Sequence, residues 1–512
     1  MIVSTLTNRA VLFISLLTIA AHVRGLSGEF VDWDDNTHIT QNPTIRSLSP
    51  AHLWNMFTVP AAKLYIPLTW LSFAVDYQIW GRNPLGYHLT NLLLHLANTL
   101  LVFALVTELL RNRSLHGRTV AVLTAALFGV HPLHVESIAW ATERKDVLFA
   151  FFYLLGLLAY LSWVTNRKRA SYWCTFAFFV ASALSKSTAV TFPLVLLLFD
   201  VFWRRRIALA EKVPFFAVSV IITLATFSAQ AAGRGDTVVN MQVIPVWSRL
   251  GLTGFCSLFY VSKFFWPFRL SAVYPPFDEM GWTSLHAVGW LTVFVSVSAG
   301  IFVLRHRVPA LLPAWLFYLI TLSPTIGLAP VGIHVVADRF SYLPLAGLAF
   351  IVSVGVVAVA QTQTGFRTTV FVITGLALAG LAVLSERQTH VWANTETLFL
   401  RALHENPNCL PAHVNLTFWY NRQKRYDDAI MHGRRAVELA PQGLAGRKNL
   451  AFALLNANRP REAVEVLLVA VNHGVEDADV WRGLYEGFAA IGDEKNSTAA
   501  KNRLSRLTRS GG

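Results

Sequence analysis

Three carboxylates lie within four residues near the start of the chain, at Asp32, Asp34 and Asp35. They follow the first apolar segment and open the first long loop of a very hydrophobic protein. Carboxylates this close together repel one another and are costly to desolvate, so the cluster favours a cation, a metal ion or a substrate proton as its partner. A carboxylate beside low-dielectric membrane acquires a raised pKa, which suits a general base. The alternative is a solvated acidic turn that caps the next helix.

Four basic residues form a second candidate group: Arg144, Lys145, Lys186 and Arg339, the last preceded by Asp338. All four fall on the predicted outer side of the membrane, against the usual distribution of Lys and Arg. An anionic ligand would explain them, and a phosphate fits best. The structural alternative is that they form ion pairs with neighbouring acids.

Polar residues inside apolar segments form a third group. His88, Asn91 and His95 share one helix face, which predicts that this face is turned toward the bundle or a cavity. Their role is either contact with a substrate or hydrogen bonding between helices. A later turn also contains residues of types that can bind a metal ion, namely His131, His134 and Glu136. Their spacing matches no strong metal signature, so the need for a metal stays open, with Asp34 and Asp35 as the ligands if one is used.

The composition predicts an integral membrane protein with an all-α fold. Of the 512 residues, 54% are hydrophobic and 14% are charged, whereas soluble domains carry roughly 25% charged residues. The net charge of +14 comes from short basic runs between apolar segments, so it reflects topology and does not indicate nucleic-acid binding. The three cysteines are scattered, with no metal-ligand spacing and no disulfide framework.

Apolar segments predict about 11 membrane spans. They lie near residues 9–25, 88–107, 119–133, 146–164, 171–185, 189–203, 213–230, 284–304, 309–324, 342–360 and 368–384. Segment 248–266 is ambiguous because Arg249 and Lys263 stand at its two ends. Residues 1–25 are interpreted as an uncleaved first span, with a cleaved signal peptide as the alternative.

The positive-inside rule orients these spans. With 248–266 at the interface, the basic loops fall on one side, which predicts that they and the N-terminus are cytoplasmic. These loops contain Arg111, Arg113 and Arg118, Arg167–Arg169, Arg204–Arg206, Arg305 and Arg307, and Arg367. The acidic loop and everything after residue 385 are then predicted to be extracytoplasmic, in a periplasm, a cell exterior or a secretory lumen.

The C-terminal region repeats with a period of 34 residues, which predicts tetratricopeptide repeats. Residues at that spacing are Pro407 and Pro441, then Ala402, Ala436 and Ala470, then Leu416, Leu450 and Leu484. We predict two complete repeats flanked by partial ones. The domain division is therefore a transmembrane domain over 1–384 and a small repeat domain over 385–512. Such arrays usually bind peptides or protein partners, and a simple helical cap is the alternative.

The ordered motifs resemble the transmembrane and tetratricopeptide repeat-containing family over nearly the whole chain. They are Asp34-Asp35, Asn42-Pro43, Pro67–Phe73, Trp80–His88, His131–Glu136, Asp338-Arg339 and Tyr342–Pro344, followed by the repeats. The resemblance implies a GT-C-like membrane glycosyltransferase that takes a sugar from a polyprenyl phosphate outside the cytoplasm. Animal members are similar to protein O-mannosyltransferases, which implies mannose or another hexose as the sugar and Ser or Thr of proteins as the acceptor.

The resemblance also implies residue roles. Asp34 or Asp35 would be the catalytic base, and Arg144, Lys145, Lys186 and Arg339 would stabilise the leaving phosphate. Other pocket candidates are His88, Asn91, His131, His134, Glu136 and Asp338, and the repeats would hold the acceptor polypeptide.

The sequence departs from the family at three points. Ile66 and Ser187 stand where an arginine and an acidic residue are common, and the repeat array is shorter. These departures concern the phosphate contacts and the acceptor more than the reaction class.

Two other classes of function are weighed. A non-enzymatic membrane scaffold would use the repeats to recruit partners, but it leaves the acids and cations on one face unexplained. A transporter is disfavoured because the sequence has no paired interrupted helices and no internal symmetry.

Overall fold

The computed structural model describes residues 2–59, 64–111, 116–202, 208–232, 246–275, 281–326, 335–362 and 364–510. Within these residues the chain forms α-helices joined by short helical turns, and no β-strand. The all-α prediction is therefore confirmed. Two compact units are present, one of residues 1–270 and 274–393 and one of residues 271–273 and 394–512.

The first unit is the helical bundle. Its helices are α1 (Ile2–His22), α2 (Pro50–Thr58), α3 (Pro67–Trp80), α4 (Pro84–Leu109), α5 (Gly117–Val130), α6 (Val135–Ala139), α7 (Arg144–Asn166), α8 (Arg169–Ser185), α9 (Phe192–Phe202), α10 (Val213–Ala232), α11 (Val246–Phe265), α12 (Ser284–Leu304), α13 (Leu311–Leu322), α14 (Leu345–Thr362) and α15 (Arg367–Val391).

Each of the eleven predicted apolar segments falls on a helix of this bundle. Seven helical segments in the described residues are long and apolar enough to cross a membrane, or eight if the bent pair α5–α6 is one span. The helices at 187–202 and 311–325 are apolar but shorter. The chain is thus an integral membrane protein with a polytopic helical bundle. Arg113 and Arg204–Arg206, from the predicted cytoplasmic loops, lie outside the described residues.

The ambiguous segment 248–266 forms α11, which is not among the candidate spans. This helix packs closely on α12 through two glycines. A Cβ at Gly251 would lie 2.4 Å from Cα of Ala287, and one at Gly254 would lie 2.8 Å from the carbonyl oxygen of Trp290. The missing side chains let the two backbones approach, so α11 and α12 form a tight pair.

The break between α5 and α6 shapes the part of the bundle that carries the candidate site. The two helices meet at 52°, at His131-Pro132, where proline cannot donate the next helical hydrogen bond. Asn91 on α4 then holds the following turn, because its Nδ2 donates to the carbonyls of Ile138 (3.2 Å) and Trp140 (3.1 Å). The chain reaches α7 through residues 141–143, which are buried.

The second unit is the repeat domain. Its helices are α16 (Thr395–Glu405), α17 (Leu410–Arg422), α18 (Tyr426–Leu439), α19 (Leu444–Asn456), α20 (Pro460–Asn472), α21 (Ala478–Ala490) and α22 (Glu494–Ser510). Helices α17, α19 and α21 begin at 410, 444 and 478, so each starts 34 residues after the one before. The pair α21–α22, predicted as part of a partial repeat, is a complete helical pair.

Small and large side chains alternate at the buried helix crossings of the repeats. Ala429 and Ala463 have no exposed side-chain surface, while Tyr420 and Leu454 are 3% and 1% exposed. Small residues at these crossings let the paired helices pack closely, and the larger ones fill the space between successive pairs.

Candidate active site

The segment Phe30–Asn36 is fixed to the bundle by Asp35. This carboxylate is fully buried and accepts hydrogen bonds from the backbone N–H of Val31 (2.9 Å), the backbone N–H of Thr142 (3.0 Å) and the Thr142 hydroxyl. Burial raises the pKa of Asp35 to about 6, and the hydrogen bonds from Thr142 and Val31 oppose that rise. Asp35 therefore ties the first loop to the turn before α7.

Asp34 has a different environment although it is the adjacent residue. Its carboxylate is only partly buried, and no side chain or backbone group of the described residues donates a hydrogen bond to it. Burial raises its pKa, the charge of Lys145 opposes that rise, and Glu143 adds to it. A carboxylate with a raised pKa and a free lone pair has the properties of a general base.

Two of the predicted cations lie beside Asp34 and share one carboxylate. Lys145 Nζ lies 2.8 Å from Glu143 Oε1, and Arg339 Nε lies 3.5 Å from the same oxygen. Arg339 also forms an ion pair with Glu136 through Nη1, and its backbone N–H donates to Glu136 Oε2 at 3.1 Å. These contacts join the turn after α5, the start of α7 and the segment before α14.

Lys186 extends this group from the end of α8. Its ammonium pairs with Asp146 Oδ1, and the Ser137 hydroxyl donates to Asp146 Oδ2 at 3.0 Å. The side chains of Lys145, Lys186 and Arg339 are 11%, 14% and 10% exposed, so each cation is buried beside an acid and remains slightly open to solvent. We call the group the Asp34 cluster, defined as Asp34, Glu136, Glu143, Lys145, Asp146, Lys186 and Arg339.

Arg144 does not join the Asp34 cluster. Its guanidinium pairs with Asp76 (2.7 Å), donates to the carbonyl of Tyr87 (2.8 Å) and binds Asn91 Oδ1. It has no exposed side-chain surface. Arg144 and Lys145 are consecutive residues at the start of a helix, so they point in different directions, and Arg144 cross-links α3, α4 and α7.

The histidines and Asn91 make contacts within the bundle. His131 Nε2 lies 3.0 Å from the carbonyl of Phe264, and His134 nitrogens lie 2.7 Å and 3.1 Å from the carbonyls of Phe128 and Tyr342. His88 is buried under Gly28, where a Cβ would lie 3.4 Å from its Nε2. Among the described residues no group of three or more His, Cys, Asp or Glu is arranged to hold a metal ion.

Asp338 lies next to the Asp34 cluster without pairing with Arg339. Its Oδ1 accepts a hydrogen bond from the Tyr274 hydroxyl at 2.8 Å. Burial raises the pKa of Asp338 well above its usual range, and the nearby charge of Glu136 adds to the rise.

Sequence reasoning missed a stack of three tryptophans beside the cluster. Trp140 lies between Trp33 and Trp392, with ring centroids 4.8 Å and 5.3 Å away and interplanar angles of 21° and 24°. Its ring is also close to the Lys145 Nζ (5.8 Å) and Arg339 Cζ (5.6 Å). The sequence hinted at this stack only through the positions of two tryptophans, because Trp33 precedes Asp34 and Trp140 lies three residues before Glu143.

The chain matches one family model and several curated proteins. A tetratricopeptide repeat family model matches residues 420–485, which confirms the repeat domain. Protein O-mannosyl-transferase TMTC1 of Homo sapiens is 26% identical over 83% of this chain and 54% of its own length. TMTC3 of Homo sapiens is 23% identical over 85% of this chain and 51% of its own length, and Tmtc1 of Drosophila melanogaster is 33% identical over 46% and 28%.

The chain thus spans about half, or less, of the length of these curated relatives. Among solved structures, ArnT from Cupriavidus metallidurans bound to undecaprenyl phosphate aligns at 14% identity over 95% of this chain and 78% of that one, with a TM-score of 0.39. That likeness is too distant to carry an argument. The sequence relatives confirm the resemblance to the transmembrane and tetratricopeptide repeat-containing family, whose curated members are named protein O-mannosyl-transferases.

Proposed function

We propose that this protein is a membrane glycosyltransferase of GT-C type. It would move a hexose, such as mannose, from a polyprenyl-phosphate donor to the hydroxyl of Ser or Thr in an extracytoplasmic protein. The observation that supports this most directly is the position of Asp34, a carboxylate with no hydrogen-bond donor among the described residues, beside Lys145 and Arg339. A base and phosphate-binding cations are the two components that such a transfer needs.

In this mechanism Asp34 takes the proton from the acceptor hydroxyl. The hydroxyl oxygen then forms a bond to the anomeric carbon of the donor sugar, and the bond from that carbon to the phosphate oxygen breaks. Both electrons of the broken bond leave with the polyprenyl phosphate, and the configuration at the anomeric carbon inverts. Each turnover ends with a glycosylated hydroxyl, a protonated Asp34 and a free lipid phosphate.

Lys145, Lys186 and Arg339 would stabilise the charge that grows on the leaving phosphate. Each is already paired with Glu143, Asp146 or Glu136, so the phosphate would share these cations with protein carboxylates. In this proposal Arg144 positions α7 and does not bind phosphate, because its guanidinium is occupied by Asp76, Tyr87 and Asn91.

The remaining assignments follow the family resemblance. The acceptor polypeptide would be held by the repeat domain. The N-terminus would be cytoplasmic, with the Asp34 cluster and the repeats outside the cytoplasm. Asp35 does not suit a divalent cation, because it is fully buried and both of its oxygens already accept hydrogen bonds, which leaves Asp34 as the candidate ligand.

Substitution of the two adjacent aspartates tests the proposal. Asp34→Asn should lower transfer about 100-fold to 10,000-fold, the usual contribution of a general base, while the protein still folds and inserts. Asp35→Asn is the matched comparison, and it should lower the yield of folded protein because it disturbs the contacts to Val31 and Thr142. Transfer is measured as hexose on Ser or Thr peptides by mass spectrometry. A wild-type rate in Asp34→Asn would reject the proposed base.

A non-enzymatic scaffold is the second candidate, and the repeats favour it. It predicts that Asp34→Asn has no effect on function, because a scaffold needs no base. The same variant therefore separates the two candidates.

A further inference from the structure

Two buried polar atoms at the Asp34 cluster have no hydrogen-bond partner among the described residues. One is Glu143 Oε2 and the other is Trp140 Nε1. Both residues are 1% exposed, so bulk water does not solvate these atoms. Buried polar atoms almost always have a partner, and an exception calls for an explanation such as a ligand.

The two atoms belong to one small region. Lys145 and Arg339 hold Glu143 through its other oxygen, at 2.8 Å and 3.5 Å. The same two cations lie 5.8 Å and 5.6 Å from the centre of the Trp140 ring. The backbone N–H of Glu143 also donates to the carbonyl of Trp140 at 3.1 Å, so a single turn carries both residues.

Both side chains are fixed by groups other than their unpaired atoms. The two faces of the Trp140 ring are covered by Trp33 and Trp392, which leaves the N–H at its edge as the group without a partner. The two cations hold Glu143 in place. The region therefore holds one donor and one acceptor in fixed positions, and neighbouring side chains must move to admit a ligand because both atoms are fully buried.

A hydroxyl group complements this pair because it donates one hydrogen bond and accepts others. Glu143 Oε2 would accept from the hydroxyl, and Trp140 Nε1–H would donate to its oxygen. A phosphate oxygen is excluded as the partner of Glu143 because both would be negatively charged acceptors. A hexose carries one hydroxyl on the carbon next to its anomeric carbon and further hydroxyls around the ring.

We infer that Glu143 and Trp140 form a subsite for one hydroxyl of the donor hexose and determine which sugar is accepted. This inference rests on the proposed function, since it names the part of the donor that the Asp34 cluster recognises. It assigns Glu143 and Trp140 to sugar recognition, whereas Lys145 and Arg339 face the phosphate.

The test measures binding of the donor, so it does not depend on transfer. The full chain in lipid nanodiscs is titrated with polyprenyl-phosphate hexose, with the set of its monodeoxy analogues, and with polyprenyl phosphate alone. Trp140→Phe removes the indole N–H and keeps a smaller aromatic ring in the stack. Trp392→Phe is the matched control, because it makes the same change in the same stack at a residue whose indole nitrogen is not among the unpaired atoms.

One monodeoxy analogue should bind wild type and Trp392→Phe about tenfold more weakly than the parent donor, as expected for loss of a hydrogen-bonded hydroxyl. Trp140→Phe should discriminate less, by about threefold, because Glu143 Oε2 still accepts from the hydroxyl while the donor to its oxygen is gone. If Trp140→Phe discriminates as well as wild type does, the subsite is overturned and a trapped water is the better partner. If wild type binds polyprenyl-phosphate hexose no better than polyprenyl phosphate alone, the subsite is also overturned, but the role of Asp34 in transfer is untouched. If wild type binds neither lipid, the proposed function fails as well.

Discussion

Besides the Arg144–Asp76 pair, two buried groups of charged residues in the described part of the bundle are built differently. One is the Asp34 cluster. The other, which we call the Lys212 cluster, consists of Tyr160, Asp200, Glu211 and Lys212. Helix α7 contributes to both, with Lys145 in its first turn and Tyr160 near its other end, about 22 Å further along at 1.5 Å per residue.

The Lys212–Asp200 pair at the centre of the Lys212 cluster is closed, whereas Glu211 at its margin is 27% exposed. Lys212 and Asp200 have no exposed side-chain surface and pair with each other, and the Tyr160 hydroxyl donates to Asp200 at 2.5 Å. The Lys212 ammonium also lies 5.2 Å from the centre of the Tyr160 ring. No polar atom of these residues is among the buried unpaired atoms of the described chain. A closed pair of this kind holds helices together and offers no group to a ligand.

The Asp34 cluster differs from the Lys212–Asp200 pair in two properties, the exposure of its cations and the pairing of its carboxylates. Its three cations retain some exposure, Asp34 has no hydrogen-bond donor in the described residues, and Glu143 Oε2 is unpaired there. Unpaired groups destabilise a folded protein, and functional sites are where such a cost is tolerated. The difference shows that burial of charge does not by itself mark a site, and that the Asp34 cluster is set apart from the Lys212–Asp200 pair by its incomplete pairing.

The largest effect should come from breaking the closed pair. Lys212→Met removes the ammonium that pairs with buried Asp200, and we expect a loss of about 3–5 kcal/mol in the free energy of unfolding. Thermal unfolding in detergent measures it. Adding Asp200→Asn should restore most of the stability, and the double variant should transfer hexose at the wild-type rate. A Lys212→Met protein that unfolds like wild type but has lost transfer would contradict the comparison.

A change in the Asp34 cluster should affect the reaction instead. Arg339→Gln removes a charge proposed to stabilise the leaving phosphate, and kcat should fall about 100-fold to 1,000-fold. Steady-state transfer assays measure it, with unfolding followed in parallel. Arg339→Lys keeps the charge and should recover part of the rate. Equal kcat values for Arg339→Gln and wild type would remove this residue from the mechanism.

The pH dependence of the transfer rate tests whether Asp34 is the general base. Only the ionised carboxylate accepts a proton, and burial raises the pKa of Asp34 above its ordinary value. The transfer rate should therefore fall about tenfold per pH unit once the pH drops below that raised pKa. The rate is measured against pH in wild type and in Asp34→Glu, which should shift the profile. An unshifted profile would assign the titration to another group.

The smallest effect should come from the anchor beside Asp34. Thr142→Val removes the hydroxyl that donates to ionised Asp35 and should destabilise the protein by about 1–2 kcal/mol at pH 8. The pKa of Asp35 is raised to about 6 in the folded state, so the folded protein binds this proton more tightly than the unfolded chain does. The contribution of Asp35 to stability is therefore present at low pH and is lost as the pH rises through 6.

Thr142 stabilises the ionised form of Asp35, so Thr142→Val should destabilise the protein less at pH 4 than at pH 8. Unfolding at the two pH values measures the difference. An equal loss at both would mean that the hydroxyl does not act through the charge of Asp35.

The sequence was sufficient to predict the helical elements, because hydrophobic runs and a 34-residue period are properties of the chain itself. It also placed the acidic group with Asp34 and the basic group with Lys145, Lys186 and Arg339 on the same predicted side of the membrane. It could not separate Asp34 from Asp35, since their difference comes from the donor groups of Thr142, 107 residues away from Asp35. Nor could it separate Arg144 from Lys145, because the choice depends on Asp76 lying opposite one of them.

The Lys212 cluster and the tryptophan stack went unpredicted for a related reason. Asp200 and Lys212 stand at the ends of two apolar segments, where charged residues are common and need no partner. Trp33 and Trp392 meet at Trp140 only through the tertiary fold. Neither feature has a local sequence pattern.

The hydrogen bonds of Asp35 and Arg339 have a consequence for biosynthesis. Asp35 is held by Thr142, and Arg339 is held by Glu136, across separations of 107 and 203 residues. A nascent chain emerges from its N-terminal end, so the first loop is unanchored until Thr142 has been made, and Glu136 is unpaired until Arg339 has been made. The complete set of proposed site residues would therefore assemble only after most of the bundle has been synthesised, which would keep shorter nascent chains from acting on passing substrates.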